Sequence, residues 1–400
     1  MDRLLSVSDA LARVLAGAAR LGEESAKLAQ ARGRTLAADL VARRTQPPVA
    51  VSAMDGFALR AADLAAGPLR IVGESAAGRG YGAALMPGEA VRIFTGAPVP
   101  NGADAILLQE DARVAEDALT ACAPPGPHIR AAGLDFREGV IALSAGTRVG
   151  PAELALAAAM NHAAVTVARR PRVAIIASGD ELVSPGAEPG PSQIISCNNL
   201  AVAAIAEDAG AETVDLGIFR DDLAELERGI GLAREARADV LVTLGGASVG
   251  DRDLLRPALA RQGMSLDFWK IAMRPGKPLI YGTLGEARIL GLPGNPVASY
   301  VCALIFLAPL LRALQGDPGA GADRTETARA GSDLPGNKGR RDYMRARLTR
   351  DENGALVATP QPLQDSSLLT ELAQSQALLI REAGAPAAAK GDPCRILRLP

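Results

Sequence analysis

The chain has 400 residues, 48% of them hydrophobic, with 43 Lys and Arg against 45 Asp and Glu, which is long enough for two to four domains with sizeable cores. A net charge of −2 and only 3% aromatic residues argue against a general nucleic-acid binder, which needs a basic face and rings to stack on bases. Four scattered cysteines, Cys122, Cys197, Cys302 and Cys394, form no C-x-x-C pair, so neither a disulfide framework nor a zinc knuckle is indicated and a reducing, cytoplasmic setting is expected.

Met1-Asp2-Arg3 opens on an amphipathic pattern without a long apolar segment, and the most apolar run, Ala303 to Leu311, is too short to span a bilayer, so no membrane association is expected. Ser6 or Ser8 is suited to cap a helix through about Ala19, an alanine-rich helical pattern follows over Glu23 to Leu40, and Thr45-Gln46-Pro47-Pro48 breaks it. From Val49 to about Leu143 short β-rich runs alternate with Gly and Pro, among them Leu69 to Val72, Ala90 to Phe94 and Ala105 to Leu108. A helix resumes at Pro151, a residue favoured at the first helical position, and runs through Met160. The β-rich region therefore reads as an insertion between helical segments.

From Arg172 the rhythm is strand, helix, strand. Strands are expected at Val173 to Ala177, Thr213 to Ile218, Val240 to Leu244, Leu266 to Ile271, Leu279 to Tyr281 and Ile289 to Leu292. The expected helices are Asn199 to Ala209, Leu223 to Glu235, Leu254 to Arg261 and Val297 to Leu314. Such alternation predicts an α/β domain with a mainly parallel sheet, helices on both faces, and a ligand at the carboxyl ends of the strands. After the Gly-rich linker at 316–321, the tail alternates short strands and turns, with one helical piece at Leu368 to Ser375, and a small β barrel is expected. The predicted organisation is thus α/β multidomain: residues 1–46 plus 144–170 form a helical, elongated domain; 47–143 an inserted β domain; 171–320 the α/β domain; and 325–400 a C-terminal β-barrel domain.

The loops at the strand ends carry the chemistry. The third strand runs into Gly245-Gly246-Ala247-Ser248-Val249-Gly250-Asp251-Arg252-Asp253. Glycines let the backbone approach a ligand closely, a following helix N-terminus attracts an anion, and carboxylates beside a phosphate call for a divalent cation. Gly246-x-Ser248-x-Gly250 also matches a hydrolase nucleophile elbow, but that arrangement needs a histidine downstream and both histidines, His128 and His162, lie upstream. The first strand ends in Ser178-Gly179-Asp180-Glu181. Lys270, Arg274 and Lys277 place three cations within eight residues, the last two in a Pro-Gly-Lys-Pro frame. Pro293-Gly294-Asn295-Pro296 starts a helix whose open N-terminus is a further anion site. Two loops of the β domain, Pro48 to Ala58 and Phe94 to Ala105, are dense in Gly, Pro, Asp and hydroxyls; alone, each reads as a turn.

Taken together, Ser52-Ala53-Met54-Asp55-Gly56-Phe57-Ala58, Thr95-Gly96-Ala97-Pro98-Val99-Pro100, Ser178-Gly179-Asp180-Glu181-Leu182, Gly245-Gly246-Ala247-Ser248-Val249-Gly250, Arg274-Pro275-Gly276-Lys277-Pro278 and Pro293-Gly294-Asn295-Pro296 resemble the molybdopterin molybdenumtransferase family, the MoeA proteins, and the C-terminal domain of gephyrin. The resemblance implies a molybdopterin-binding α/β domain, a homodimer with an intersubunit site, and a cytoplasmic enzyme that inserts molybdate into adenylylated molybdopterin with Mg²⁺-dependent release of AMP. It implies catalytic roles for Asp55, Thr95, Glu181, Asp221, Asp253, Lys270 and Arg274, with Glu181, Asp221 and Asp253 able to hold the metal. Substrate contacts are implied for Arg130, Asp135, Gly245, Gly246, Ser248, Gly250, Lys277, Pro293, Gly294 and Asn295, and more weakly for Arg341 and Ser367. The upstream adenylyltransferase is an implied partner; nucleic acid and membrane are not. Arg274 stands where some relatives have Lys, and the 366–380 segment lacks the family's Asn-Gly. A molybdopterin adenylyltransferase-like enzyme and a non-catalytic cofactor-binding scaffold are the alternatives; the extra residues 1–170 weigh against the first and the retained charges against the second.

Overall fold

The computed structural model describes residues 4–246 and 254–400. The chain forms two compact units, one made of the segment ending at Glu24, Gly33–Ala37 and Val167–Pro400, the other of Ser25–Arg32 and Ala38–Thr166.

In the larger unit a six-stranded sheet has the order Glu212–Phe219, Arg172–Ser178, Val240–Leu244, Ala287–Leu292, Pro278–Leu284, Ser265–Lys270. The first four strands are mutually parallel, whereas Pro278–Leu284 runs antiparallel to both its neighbours. The sheet is therefore mixed, with the expected parallel part confined to one side. Burial on both faces explains the near-continuous apolar strands. Val173, Ile175, Ala177, Val242, Leu244, Leu290 and Leu292 point to one core, with Asn198–Asp208 and the long helix that starts at Pro296. Their neighbours Ala174, Ile176, Leu241 and Ile289 point to the other, against Leu223–Glu235 and Leu255–Arg261.

The long helix begins at Pro296 and reaches Leu314 through a π-helical segment, Ala303–Leu307, just ahead of Pro309, whose missing N–H an uninterrupted α-helix would leave as a broken bond. At 19 residues and a mean hydropathy of 2.0 it passes a membrane-span test by length and composition, unlike the shorter run read from sequence, but Val297, Val301, Phe306, Leu307, Leu310 and Leu311 are all within the core. The N-terminal helix, Val7–Leu15, is capped by Ser6, whose side chain accepts from Asp9 N–H at 3.0 Å. It stops four residues short of the expected Ala19 because Tyr281 Oη donates to Val14 O at 3.0 Å and Arg288 donates to Ala16 O and Gly17 O at 3.2 and 2.6 Å, taking over its terminal carbonyls.

The tail closes into a barrel. Arg341–Arg350 pairs on one side with Leu356–Pro360 and on the other with Ala377–Arg381, and the ring is completed through Glu326–Ala330 and Pro393–Arg398. Five strands leave a narrow interior, which small residues fill: Ala328, Ala330, Ala346, Ala358 and Ala377, with Leu379 and Ile396.

The smaller unit is a six-stranded sheet on a stem. Leu40–Val41 pairs with Ile141–Leu143, Gln46 bridges Phe136, and Val51–Ser52 pairs with Ile129–Arg130, so the entering and leaving chains run antiparallel as an insertion requires. In the sheet, Phe57 and Leu59 join Leu69, Leu107 and Leu119 on one face while Ala58 meets Ile93 and Ile106 on the other. The expected helix over Glu23 to Leu40 is corrected: the segment is a strand at Glu23–Lys27, one helical turn at Leu28–Ala31 and a strand start at Leu40. Gly33 at φ +76 breaks the alanine-rich run that suggested a helix.

Candidate active site

A cleft of about 610 Å³ lies at the carboxyl ends of the Arg172–Ser178, Val240–Leu244 and Ala287–Leu292 strands. Of the residues singled out in the sequence, Glu181, Gly245, Gly246, Pro293, Gly294, Asn295 and Ser367 line it.

Three loops meet at its floor. Gly245 has φ +94, and a Cβ there would lie 2.4 Å from Ser178 O; no other residue fits between the first and third strands. Gly294 completes the contact, its Cβ direction reaching the Gly245 Cα at 3.6 Å. The helix start is less open than the sequence suggests. Pro296 has no N–H, the Val297 N–H donates to Ser366 O at 3.0 Å and the Ser299 N–H returns to Asn295 O at 2.9 Å. Asn295 occupies the N-cap position without a side-chain cap bond. The expected anion site is thus largely spent on anchoring the 366–367 turn, which in exchange delivers Ser367 to the cleft. Ser367 is held by Asp365, which accepts from its N–H at 2.9 Å and its hydroxyl at 2.6 Å.

Carboxylates crowd one edge. Asp180 and Glu181 follow the first strand, and Asp221 follows Phe219, the end of the neighbouring strand; the Asp221 N–H reaches Asp180 Oδ1 at 3.4 Å. Partial burial, then the negative charges of Glu181 and Asp180, push the Asp221 carboxyl above its ordinary range, with Ser178 opposing. Among the described residues no group of three metal-ligating side chains converges. Two carboxylates that repel each other nevertheless suit Mg²⁺, which keeps several waters and takes one or two carboxylates plus substrate phosphates. Glu181 and Asp221 are the pair that fits. Ser248, Gly250 and Asp253 lie outside the described residues.

The cations sit on the adjoining loop and do not line the cleft. Lys270 ends the edge strand opposite Pro278, which does line it, and its ammonium lies 3.6 Å from the centroid of the Trp269 ring. Gly276, at φ +107, packs where a Cβ would be 2.5 Å from Cys302 Sγ, pressing the Pro-Gly-Lys-Pro loop onto the long helix and leaving Lys277 exposed. Arg274 is paired with the buried Asp342 of the barrel. Arg341 is turned to Glu382, 2.7 Å away.

The smaller unit carries its own cluster. Asp55 Oδ1 accepts from the Thr95 N–H at 2.7 Å and the Thr95 hydroxyl at 2.8 Å. These two bonds, and then the charge of Arg92, hold the Asp55 carboxyl below its ordinary range. Arg92 is stacked on Phe57 and Phe94, at 4.8 and 5.2 Å. Arg130 is opposite Val51 on the strand that leads to Asp55, and Asp135 lies in the next turn, its N–H on Gln46 O at 3.0 Å.

Sequence reasoning overlooked the segment that forms one wall of the cleft, Ile194 to Asn198. Asn198 Nδ2 donates to Gly294 O at 2.7 Å, locking the loop after Ala287–Leu292 to the start of the Asn198–Asp208 helix. The signal was its position: a polar residue opening a helix directly after an irregular crossover lies at the sheet's ligand-binding end. Asp342 was also overlooked.

Fold and site together define a multidomain protein whose α/β domain has a cleft at the carboxyl ends of its sheet, carried with an inserted β domain and a closed C-terminal barrel. Residues 5–161 match the MoeA N-terminal region, domains I and II; residues 174–313 a probable molybdopterin binding domain; and residues 327–399 the MoeA C-terminal region, domain IV. The molybdopterin molybdenumtransferase of Haemophilus influenzae is 34% identical over 90% of this chain and 89% of its own, and molybdopterin molybdenumtransferase 2 of Mycobacterium tuberculosis 37% identical over 88% and 89%. The crystal structure of a molybdopterin biosynthesis MoeA protein from Pyrococcus horikoshii superposes with a TM-score of 0.80 at 28% identity, covering 99% of both chains. The chain belongs to the MoeA family of molybdopterin molybdenumtransferases, enzymes of molybdenum cofactor biosynthesis.

Proposed function

We propose that this chain inserts molybdate into adenylylated molybdopterin, with Mg²⁺-dependent release of AMP, as a cytoplasmic homodimer that receives its substrate from an upstream adenylyltransferase. The observation that carries the reading is the cleft itself: about 610 Å³ at the strand ends, floored by Gly245 and Gly246 and edged by Glu181 with Asp221 behind it. That volume is in the range of sites that bury a whole small-molecule ligand.

The roles divide by charge. Gly245 and Gly246, whose Cβ directions are taken up by Ser178 and Leu255, are proposed to offer bare backbone to a flat ligand or a phosphate. Glu181 and Asp221 would hold Mg²⁺, and Asp253 belongs to the same proposed set. Bound there, Mg²⁺ supplies neutralisation of the phosphate charge as the phosphoanhydride to the adenylate breaks. Lys270, Arg274 and Lys277 are proposed to bind the oxyanions of molybdate and phosphate and to offset charge on the departing AMP. Asp55, kept ionised by Thr95, is a proposed acceptor for a proton from water or substrate, with Arg130, Asp135 and Arg341 as further proposed substrate contacts.

Glu181→Gln tests the assignment, since the amide preserves shape and removes the charge. Single-turnover AMP release should slow by about two orders of magnitude, of the size expected for a group that stabilises developing charge. Wild-type rates in this variant would remove the cleft edge from the reaction.

A further inference from the structure

We propose that Asp342 is a positioning residue for Arg274, and that through this pair the C-terminal barrel takes part in binding the oxyanion substrate. The inference rests on the reading of Arg274 as an oxyanion-binding cation.

Met273–Arg274 forms a short parallel ladder with the barrel strand Arg341–Arg350, in which Met273 is opposite Arg341 and Arg274 opposite Asp342. The Arg341 N–H fixes the register by donating to Ala272 O at 2.9 Å. Arg274 Nη2 donates to Asp342 Oδ2. The two side chains differ sharply in exposure, 60% for Arg274 against 5% for Asp342. An exposed arginine ordinarily samples many rotamers; this one is tied at one corner to a carboxylate that the barrel wall holds still. Arg341, the neighbouring cation, is engaged with Glu382 and does not compete.

Asp342 is costly where it stands. It is buried, its Oδ1 has no hydrogen-bond partner among the described residues, and a buried carboxylate held by a single cation is a poor source of stability. Its placement makes sense as orientation. A guanidinium has five donors in a rigid fork, so one nitrogen on Asp342 leaves another edge free for a tetrahedral or planar oxyanion. Pro278, four residues on, lines the cleft. A lysine at 274 would lack the fork that serves both partners.

The test titrates molybdate in the AMP-release reaction, and separately by calorimetry, with the full-length wild type, Arg274→Gln, Asp342→Asn and the double variant. Both single changes should raise the half-saturating molybdate about tenfold, which is about 1.4 kcal/mol. Asp342→Asn should add less than twofold in the Arg274→Gln background, because nothing remains to be oriented. Should Asp342→Asn not fold, Asp342→Glu, which displaces the charge by one methylene, should raise the half-saturating molybdate with an unchanged melting temperature. Unchanged molybdate dependence in a folded Asp342 variant, or an Asp342 effect that persists in full without Arg274, overturns the inference while leaving Arg274 in place. Unchanged dependence in Arg274→Gln overturns instead the reading of Arg274 on which it rests.

Discussion

Asp221 and Asp55 are shifted in opposite directions, and the shifts predict opposite pH behaviour. Asp221 is raised by burial and by Glu181 and Asp180, so the folded protein binds its proton more tightly than the unfolded chain does. Its contribution favours the fold below the ordinary carboxyl pKa of about 3.9 and is lost as pH rises through the folded value. At neutral pH the charge is therefore destabilising, and the proposed Mg²⁺ would relieve it. Asp221→Asn should melt higher than wild type in EDTA, and Mg²⁺ should raise the melting temperature of the wild type more than that of this variant; an equal Mg²⁺ shift would take Asp221 out of the proposed metal site. Asp55 is lowered by its two bonds from Thr95. Its contribution is present above about 3.9 and disappears as pH falls through the folded value. Thr95→Val should thus lower the denaturation midpoint at pH 7 and leave it close to wild type near pH 2.

At the scale of elements, close approach of backbones decides which glycines matter. Gly245 faces Ser178 O at 2.4 Å from any Cβ, whereas Gly263, at φ +89, has nothing within 4 Å. Gly263→Ala should cost about 1 kcal/mol, the strain of a left-handed alanine, and Gly245→Ala at least about 1 kcal/mol more, read by chemical denaturation. Equal costs would mean that the loop is looser than the geometry describes. The α/β strands were legible in the sequence because burial on both faces makes them apolar throughout, as in Val240–Leu244. The Glu23 to Leu40 segment was not, since alanine fits a helix and a tightly packed strand alike and propensity yields to tertiary pairing. Of the site, the glycine turn, Glu181 and the Pro293 loop were legible, because strand-end loops must face the ligand end of the sheet, whereas Ser367, in the barrel's 366–367 turn, was indicated only weakly, through the family resemblance. Asp342 was not: its meaning depends on a ladder joining residues 68 positions apart, and no local pattern encodes that register.

At the scale of the molecule, three domain matches in order along nearly the whole chain and a cleft at the strand ends support one activity. The proposed homodimer predicts sedimentation at twice the mass of the 41.1 kDa chain at micromolar concentration; a monomer would contradict it. The central claim is tested most directly by mixing the purified protein with adenylylated molybdopterin, Mg²⁺ and molybdate, and following AMP together with the activation of an apo-molybdoenzyme. AMP release that requires molybdate and yields active cofactor is the predicted result. Tight binding of the adenylylated pterin with neither AMP release nor activation would contradict it and mark the cleft as that of a carrier.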